Sequence, residues 1–462
     1  MKTKITFAGL VLALLSTIPM LGQAQNEECM TKLSIFHEYV KAENFDAAYE
    51  PWMYVRTTCP SFNRATIVDG EKILEHKIKN STGTEQVNHI KDLIKLLEES
   101  AVHFPSKYSK GKIMVEVIQT RYKYKSELKL SDEQLYDGYD NTFKNARDDF
   151  KSPSGLYTYF SLMVDLFDAG KKPAQDLFNK YDDVIEKIEE EIQHASEQLN
   201  KLIAKEEDGQ KLSSKEQKYK RFYEQTLEAY DKVTGSVNSK LGERANCETL
   251  IPLYNKGFEE NKTNDIWLRR AVSRMASKEC TDAPLYIKLV KAYDETAPSA
   301  DTKYYVAGLL LKQGKTNEAL GYFRQSFDLQ TDPYKQGKLA ERIGQILKSK
   351  NRYSEARNYY RDALKLNPSN GRPYLAIAAM YASSANSCGD SNFNKRAVYW
   401  LAAAEAEKAG RIDPTLKSAA AQSAESYRAK APSKSDIFNS DMAGKQINIG
   451  CWINGSVTVP KL

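Results

Sequence analysis

Histidine is scarce in this chain. Only five occur in 462 residues, His37, His76, His89, His103 and His194, and none has a second histidine at i+3 or i+4. A zinc-binding helix face of the HExxH type is therefore excluded, and each ring reads as a surface or groove residue. A GxSxG turn, which would expose a serine nucleophile, is missing as well. Gly314-Lys315-Thr316 resembles the end of a phosphate-binding loop, but Leu309 stands where the leading glycine is needed. Asp132, Glu133, Asp137 and Asp140 lack the spacing and closing glutamate of a calcium loop and read as a solvated helix face. No catalytic residue, metal or cofactor is expected, and the chain is expected not to be an enzyme.

Long apolar runs are equally scarce beyond the N-terminus. The start pairs Lys2 and Lys4 with an apolar stretch from Ile5 to Leu21 and a small-residue site, Gly22-Gln23-Ala24. This reads as a signal peptide over residues 1–24, cleaved near Ala24. Gln25, Asn26, Glu27 and Glu28 are unsuited to a lipid attachment at Cys29. Nothing later approaches the ~20 apolar residues of a membrane-spanning helix, so no transmembrane segment is expected in the mature chain. Export to the periplasm or cell envelope follows as the expected localisation. The net charge of +6, from 67 basic and 61 acidic residues, is too weak a bias for a nucleic-acid binder.

Cysteine is rare but even in number: Cys29, Cys59, Cys247, Cys280, Cys388 and Cys451. In an exported chain disulfides are the default reading, and no two of these cysteines lie within four residues of each other as zinc ligands usually do.

What the chain does have is helical periodicity almost throughout, as in Leu93, Ile94, Leu96, Leu97 and Val102. Prolines such as Pro60, Pro105, Pro284, Pro298, Pro333 and Pro368 punctuate it into short helices. Between residues 303 and 370 the pattern repeats with a constant offset of 37 residues: Val306, Ala307, Leu310, Gly314, Ala319, Phe323 and Leu329 correspond to Ile343, Gly344, Leu347, Asn351, Ala356, Tyr360 and Leu366. Small residues at Ala319, Gly344 and Ala356 mark places where two helices cross at about 8 to 10 Å. This pattern resembles the tetratricopeptide repeat (TPR) family, whose helix-turn-helix unit ends in proline, as the second copy does at Pro368. A third unit begins with Tyr374, Ile377, Ala378 and Tyr381, then departs from the pattern between Ser383 and Asn394.

More faintly, Leu33, Phe36, Val40, Phe45, Ala48, Trp52 and Val55 fit a helical hairpin with its turn near Glu43-Asn44, and a similar layout returns between Cys247 and Cys280. In an antiparallel hairpin the first helix starts beside the end of the second, within disulfide reach. Bonds Cys29–Cys59 and Cys247–Cys280 are expected, each stabilising by roughly 3 to 4 kcal/mol on a chain-entropy estimate. Elimination leaves Cys388 with Cys451, a pairing that depends on the first two.

Residues 173–242 change character. Leu177, Tyr181, Val184, Ile188, Ile192, Ala195, Leu199 and Leu202 form an apolar seam, and Phe222, Thr226, Tyr230, Val233 and Val237 a second one after a polar turn at Glu207-Asp208-Gly209. This reads as a long, coiled-coil-like αα-hairpin arm of about 45 Å, which either lies along the array or projects toward a partner. The tail, residues 431–462, places two strand-like runs around Asn454-Gly455, a strong hairpin signal. The overall expectation is an all-α chain: a signal peptide (1–24), N-terminal TPR-like repeats (25–172), the arm (173–242), C-terminal TPR repeats (243–430), and a tail with a small β-hairpin. The arrangement, with its Gly450-Cys451-Trp452 end, resembles exported TPR proteins of Bacteroidota cell envelopes.

That resemblance implies a partner groove along Asp301, Tyr304, Lys312, Lys338, Glu341, Gln345 and Lys348. It implies a scaffold that binds a protein partner through a concave helical surface, with an outer-membrane protein as one candidate. The competing readings are an accessory factor of secretion or outer-membrane assembly, and an enzyme or glycan-binding protein with a site between irregular repeats.

Overall fold

The structure, a computed structural model, describes the backbone of residues 18–461, with side chains from Asn26 onward except Glu243. The expected leader therefore lies outside the described residues up to position 17, and its cleavage point lies outside the described side chains. The chain forms two compact units, up to Lys172 and from Pro173 onward.

The first unit is a run of helices: α1 (Ile18–Lys41), α2 (Phe45–Thr58), α3 (Ala65–Asn80), α4 (Gly83–His103), α5 (Lys110–Lys123), α6 (Asp132–Asn145) and α7 (Pro153–Asp168). The first turn forms where expected: Glu43 takes a positive φ of 56°, and the Asn44 side chain accepts from the Ala47 amide to cap α2. Phe36, Val40, Ala48, Trp52 and Val55 are buried between α1, α2 and α3. Trp52 donates from Nε1 to the Thr66 carbonyl at 2.7 Å, and Gly70 leaves room for its ring, since a Cβ there would lie 2.6 Å from it. Cys29 lies within α1, which begins earlier, at Ile18. It is bonded to Cys59, which ends α2.

The second unit opens with the arm, α8 (Ala174–Glu207) and α9 (Ser214–Leu241). Stacked helices follow: α10 (Cys247–Asn261), α11 (Asp265–Ser277), α12 (Pro284–Thr296), α13 (Ala300–Lys312), α14 (Thr316–Leu329), α15 (Pro333–Ser349), α16 (Tyr353–Leu366), α17 (Arg372–Ser384), α18 (Asn392–Ile412), α19 (Lys417–Lys430) and α20 (Lys434–Ser440). Two short strands, β1 (Gln446–Ile449) and β2 (Gly455–Thr458), close the chain as an antiparallel pair. The chain is thus a helical-hairpin array with a small terminal sheet. Ala307, Ala319, Phe323, Ile343, Ala356 and Tyr360 form one apolar core through α13 to α16, as the repeat pattern requires.

The terminal hairpin departs from the expected form. Ile449 faces Gly455 across the ladder, so the loop holds five residues, Gly450–Asn454, instead of a two-residue Asn-Gly turn. The physical reason is what those five residues do. Cys451 is bonded to Cys388, while Trp452 sits against the rings of Tyr353 and Tyr381 and donates to the Ser384 hydroxyl at 2.9 Å. A tight turn would leave neither side chain free to reach down. The remaining pair, Cys247–Cys280, joins the start of α10 to the end of α11.

Candidate functional site

The arm lies across the repeats of its own unit. Leu177, Val184, Ile188, Ala195, Leu199 and Leu202 of its first seam are buried, together with Tyr230 and Val237 of the second. Phe222 departs from that seam: it is 58% exposed, because the buried stripe of α9 begins only further along the helix.

At its base α8 is held by charge. Arg274 of α11, almost fully buried, donates to the Asp182 carboxylate, the Tyr254 hydroxyl and the Phe178 carbonyl. Arg270 donates to Asp183 and Glu186 at 2.9 Å each, and Arg269 reaches Glu186 at the same distance. Burial alone would raise the Glu186 pKa, but the two guanidinium groups outweigh it and hold the carboxyl below its ordinary value. At Asp182 burial dominates, and the pKa is raised despite Arg274 and Arg270.

Further along, the contacts turn polar. Lys338 pairs with Glu189 at 3.1 Å, Gln193 donates to Asp332 at 3.0 Å, and Asn200 bridges the Asn367 side chain and the Ser369 amide. From α9, Asp231 meets Arg372 at 3.4 Å. Between arm and repeats remains a cavity of about 360 Å³, walled by Ile185, Ile188 and Ile192 on one side and by Tyr334, Lys338, Glu341 and Arg342 on the other.

This arrangement divides the groove residues read from the sequence. Lys338 and Glu341 line the cavity under the arm, and Glu341 also accepts from Asn370 at 2.7 Å. Asp301, Tyr304, Lys312, Gln345 and Lys348 are not among its walls. Tyr304 packs on Phe323 with Arg342 over its ring, Lys312 pairs with Asp282 at 2.6 Å, and Gln345 turns back to Glu341 at 3.4 Å.

The first unit carries a groove that the sequence reading missed. A space of about 460 Å³ between α3, α4 and α5 has apolar and aromatic walls from Val68, Leu93, Leu97, Tyr108 and Tyr124. Three carboxylates face it, Glu71, Glu75 and Glu116. Glu75 is paired with Lys123 at 3.0 Å and Glu116 lies 3.8 Å from Lys112, but Glu71 has no cation within ion-pair distance among the described residues. Its pKa is pushed up to about 7, by burial first and then by the charges of Glu116 and Glu75. Burial also raises Glu116. The available signal was Glu71 and Glu75 at i, i+4 beside the buried stripe Ile67, Leu74 and Ile78, a spacing that charged helix faces show often.

Two of the histidines serve local contacts: His37 Nδ1 lies 2.6 Å from Asp69, and His103 Nδ1 3.1 Å from the Ser61 hydroxyl. Among the described residues no three His, Cys, Asp or Glu side chains converge as a metal set, and no helix is long and apolar enough to cross a membrane.

Comparison with known proteins bears on α15 and α16. Residues 338–370 match the tetratricopeptide repeat family model. No curated protein matches the chain. Among solved structures, yeast Tom70 aligns over 90% of this chain and 99% of its own at 10% identity, with a TM-score of 0.25. A circular tandem repeat protein aligns over 91% of each chain at 12% identity and a TM-score of 0.16. Scores this low carry no argument about arrangement or function. Residues 338–370, which span α15 from Lys338 and α16, thus form a tetratricopeptide repeat set in a stack of helical hairpins.

Proposed function

We propose that the chain is an exported, non-enzymatic scaffold of the cell envelope that holds a protein partner in the groove of its first unit. The observation that carries this reading is the contrast between two surfaces. In the second unit the arm already rests on α11 and α15 and takes Lys338 of the groove residues into its own ion pair. In the first unit a groove with apolar and polar walls holds a half-buried carboxylate, Glu71, that has no cation within ion-pair distance among the described residues.

A partner segment with a lysine or arginine beside an apolar side chain would satisfy both features at once. The apolar side chain would cover Val68, Leu93 and Tyr108, and the cation would restore the ionised form of Glu71. Export is supported by the use of all six cysteines in three disulfides, the state expected in an oxidising compartment.

Affinity capture with crosslinking tests the reading. The wild-type chain should retain a partner from envelope extracts that Glu71→Lys and Tyr108→Ala lose, while Gln345→Ala with Lys348→Glu keeps it. Retention by the first-unit variants, or turnover of a small molecule by the purified chain, overturns it.

A further inference from the structure

The arm has a second face, turned away from the repeats, whose composition the fold does not explain. Along the start of α9, Lys215, Lys218, Tyr219 and Phe222 follow one another at i, i+3, i+4 and i+7, the spacing of a single helical stripe. A stripe at that spacing normally enters a core. Here it is exposed, Tyr219 by 47% and Phe222 by 58%, and both lysines are exposed as well. Lys211 extends the stripe at the turn before α9.

The charges around it are sorted. Glu216 accepts from Lys205 at 2.5 Å and from the Ser213 amide and hydroxyl, so it is fully engaged in capping the helix. Glu206 is matched by Lys220 at 2.6 Å. Glu207 acts on Tyr374 of α17, on the repeat side of the arm. Lys211 and Lys218 are left without a carboxylate partner among the described residues, and Lys215 stands over the Tyr219 ring at 5.7 Å.

We infer that this stripe is a docking surface for a membrane leaflet bearing anionic phospholipid. The outer face of a helical hairpin is convex and cannot enclose a ligand, so it fits an extended flat surface. Lysines draw such a face to phosphate headgroups, and a tyrosine and a phenylalanine side by side suit the boundary where water gives way to hydrocarbon. A second copy of the chain does not fit, because two such faces would set lysine against lysine.

Co-sedimentation of the full mature chain with vesicles tests this, using phosphatidylcholine alone and phosphatidylcholine with about one third phosphatidylglycerol. Binding is expected only to the anionic vesicles, weakening with salt. Lys215→Glu with Lys218→Glu should lower the bound fraction at least tenfold, and Tyr219→Ala with Phe222→Ser should lower it severalfold. All four positions are exposed, so the variants should keep the wild-type circular dichroism melt. A Phe222→Trp variant should show tryptophan quenching by brominated lipid beyond that of the wild-type chain, a signal that charge attraction alone does not give. Absence of sedimentation, binding indifferent to both pairs of substitutions, or no added quenching overturns the inference. So does equal binding of duplex DNA through the same lysines, which would mark a general polyanion surface.

Discussion

Arg274 of α11 and Asp182 of α8 form an ion pair in the interior of the second unit, with Tyr254 and Phe178 completing the guanidinium's partners. The pair ties the arm to the repeats, and it does so at a cost: burial raises the Asp182 pKa even though two arginines stand beside it. Removing one partner strands the other charge without water. Arg274→Met should therefore lose about 3–5 kcal/mol in urea unfolding, whereas Arg274→Met with Asp182→Leu should recover most of the loss, since an apolar replacement of a whole buried pair is often neutral. If the double variant is as unstable as the single one, the pair is not what limits stability there.

Within the repeat matched to the family, Gly344 faces the ring of Tyr360 so closely that a Cβ would lie 2.9 Å from it. Tyr360 is fully buried, and its Oη has no hydrogen-bond partner among the described residues. Alanine at 344 gains helix propensity but must push the ring aside. Gly344→Val adds more bulk and should destabilise by about 1–3 kcal/mol, against a smaller loss for Gly344→Ala. Tyr360→Phe should be neutral or stabilising, because it removes a buried hydroxyl that bonds to nothing. Thermal denaturation of the three variants separates these effects.

Gly344, Ala356 and Tyr360 also show why this part was legible in the sequence. A helix crossing demands a small residue and a ring at fixed offsets, and those demands survive as a pattern. The hairpin positions of the cysteines were legible for the same reason, since antiparallel helices bring fixed sequence distances together. The arm's placement was not. Whether α8 projects or lies down depends on Arg269, Arg270 and Arg274, more than eighty residues away, and no local pattern marks which arginine on α11 meets which carboxylate on α8. Phe222 misled for a related reason: its spacing extends a seam that has already left the repeats. Glu71 was hidden because burial, which sets it apart from a solvated glutamate, comes from α5 and Tyr108.

The Cys388–Cys451 bond fastens a sheet of two short strands that has little hydrogen bonding of its own. Ile447, Ile449 and Val459 are buried against the helical core, and Trp452 is wedged over Arg357. Changing Cys388 and Cys451 to serine should leave the helices intact but loosen the tail. Limited proteolysis should then release a fragment beginning near Met442, and Trp452 fluorescence should shift toward the solvent-exposed value. An unchanged cleavage pattern would assign the docking to the apolar contacts alone.

Glu71 makes the first unit sensitive to pH in a direction opposite to a salt-bridged carboxylate. Its folded pKa, raised from 4.5 to about 7, means that between those two values the folded chain keeps a proton that the unfolded chain has released. Stability therefore falls as pH rises through this window, and it is greatest below the ordinary value. Glu116, raised by burial on the facing helix, acts with the same sign, while Lys112 and Lys123 moderate the effect. The groove is part-open to water, so screening leaves about 1 kcal/mol of the full shift, roughly 2–4 °C in Tm for a unit of this size. Glu71→Gln should remove most of the dependence and make the protein more stable than wild type at pH 8. Hydrogen-exchange protection of α3 and α5 amides, compared between wild type and variant at pH 5.5 and pH 8, reads this unit without interference from the other. Equal protection at both values would show that Glu71 is ionised in the free protein, and would leave the groove without the uncompensated carboxyl on which its preference for a cationic partner rests.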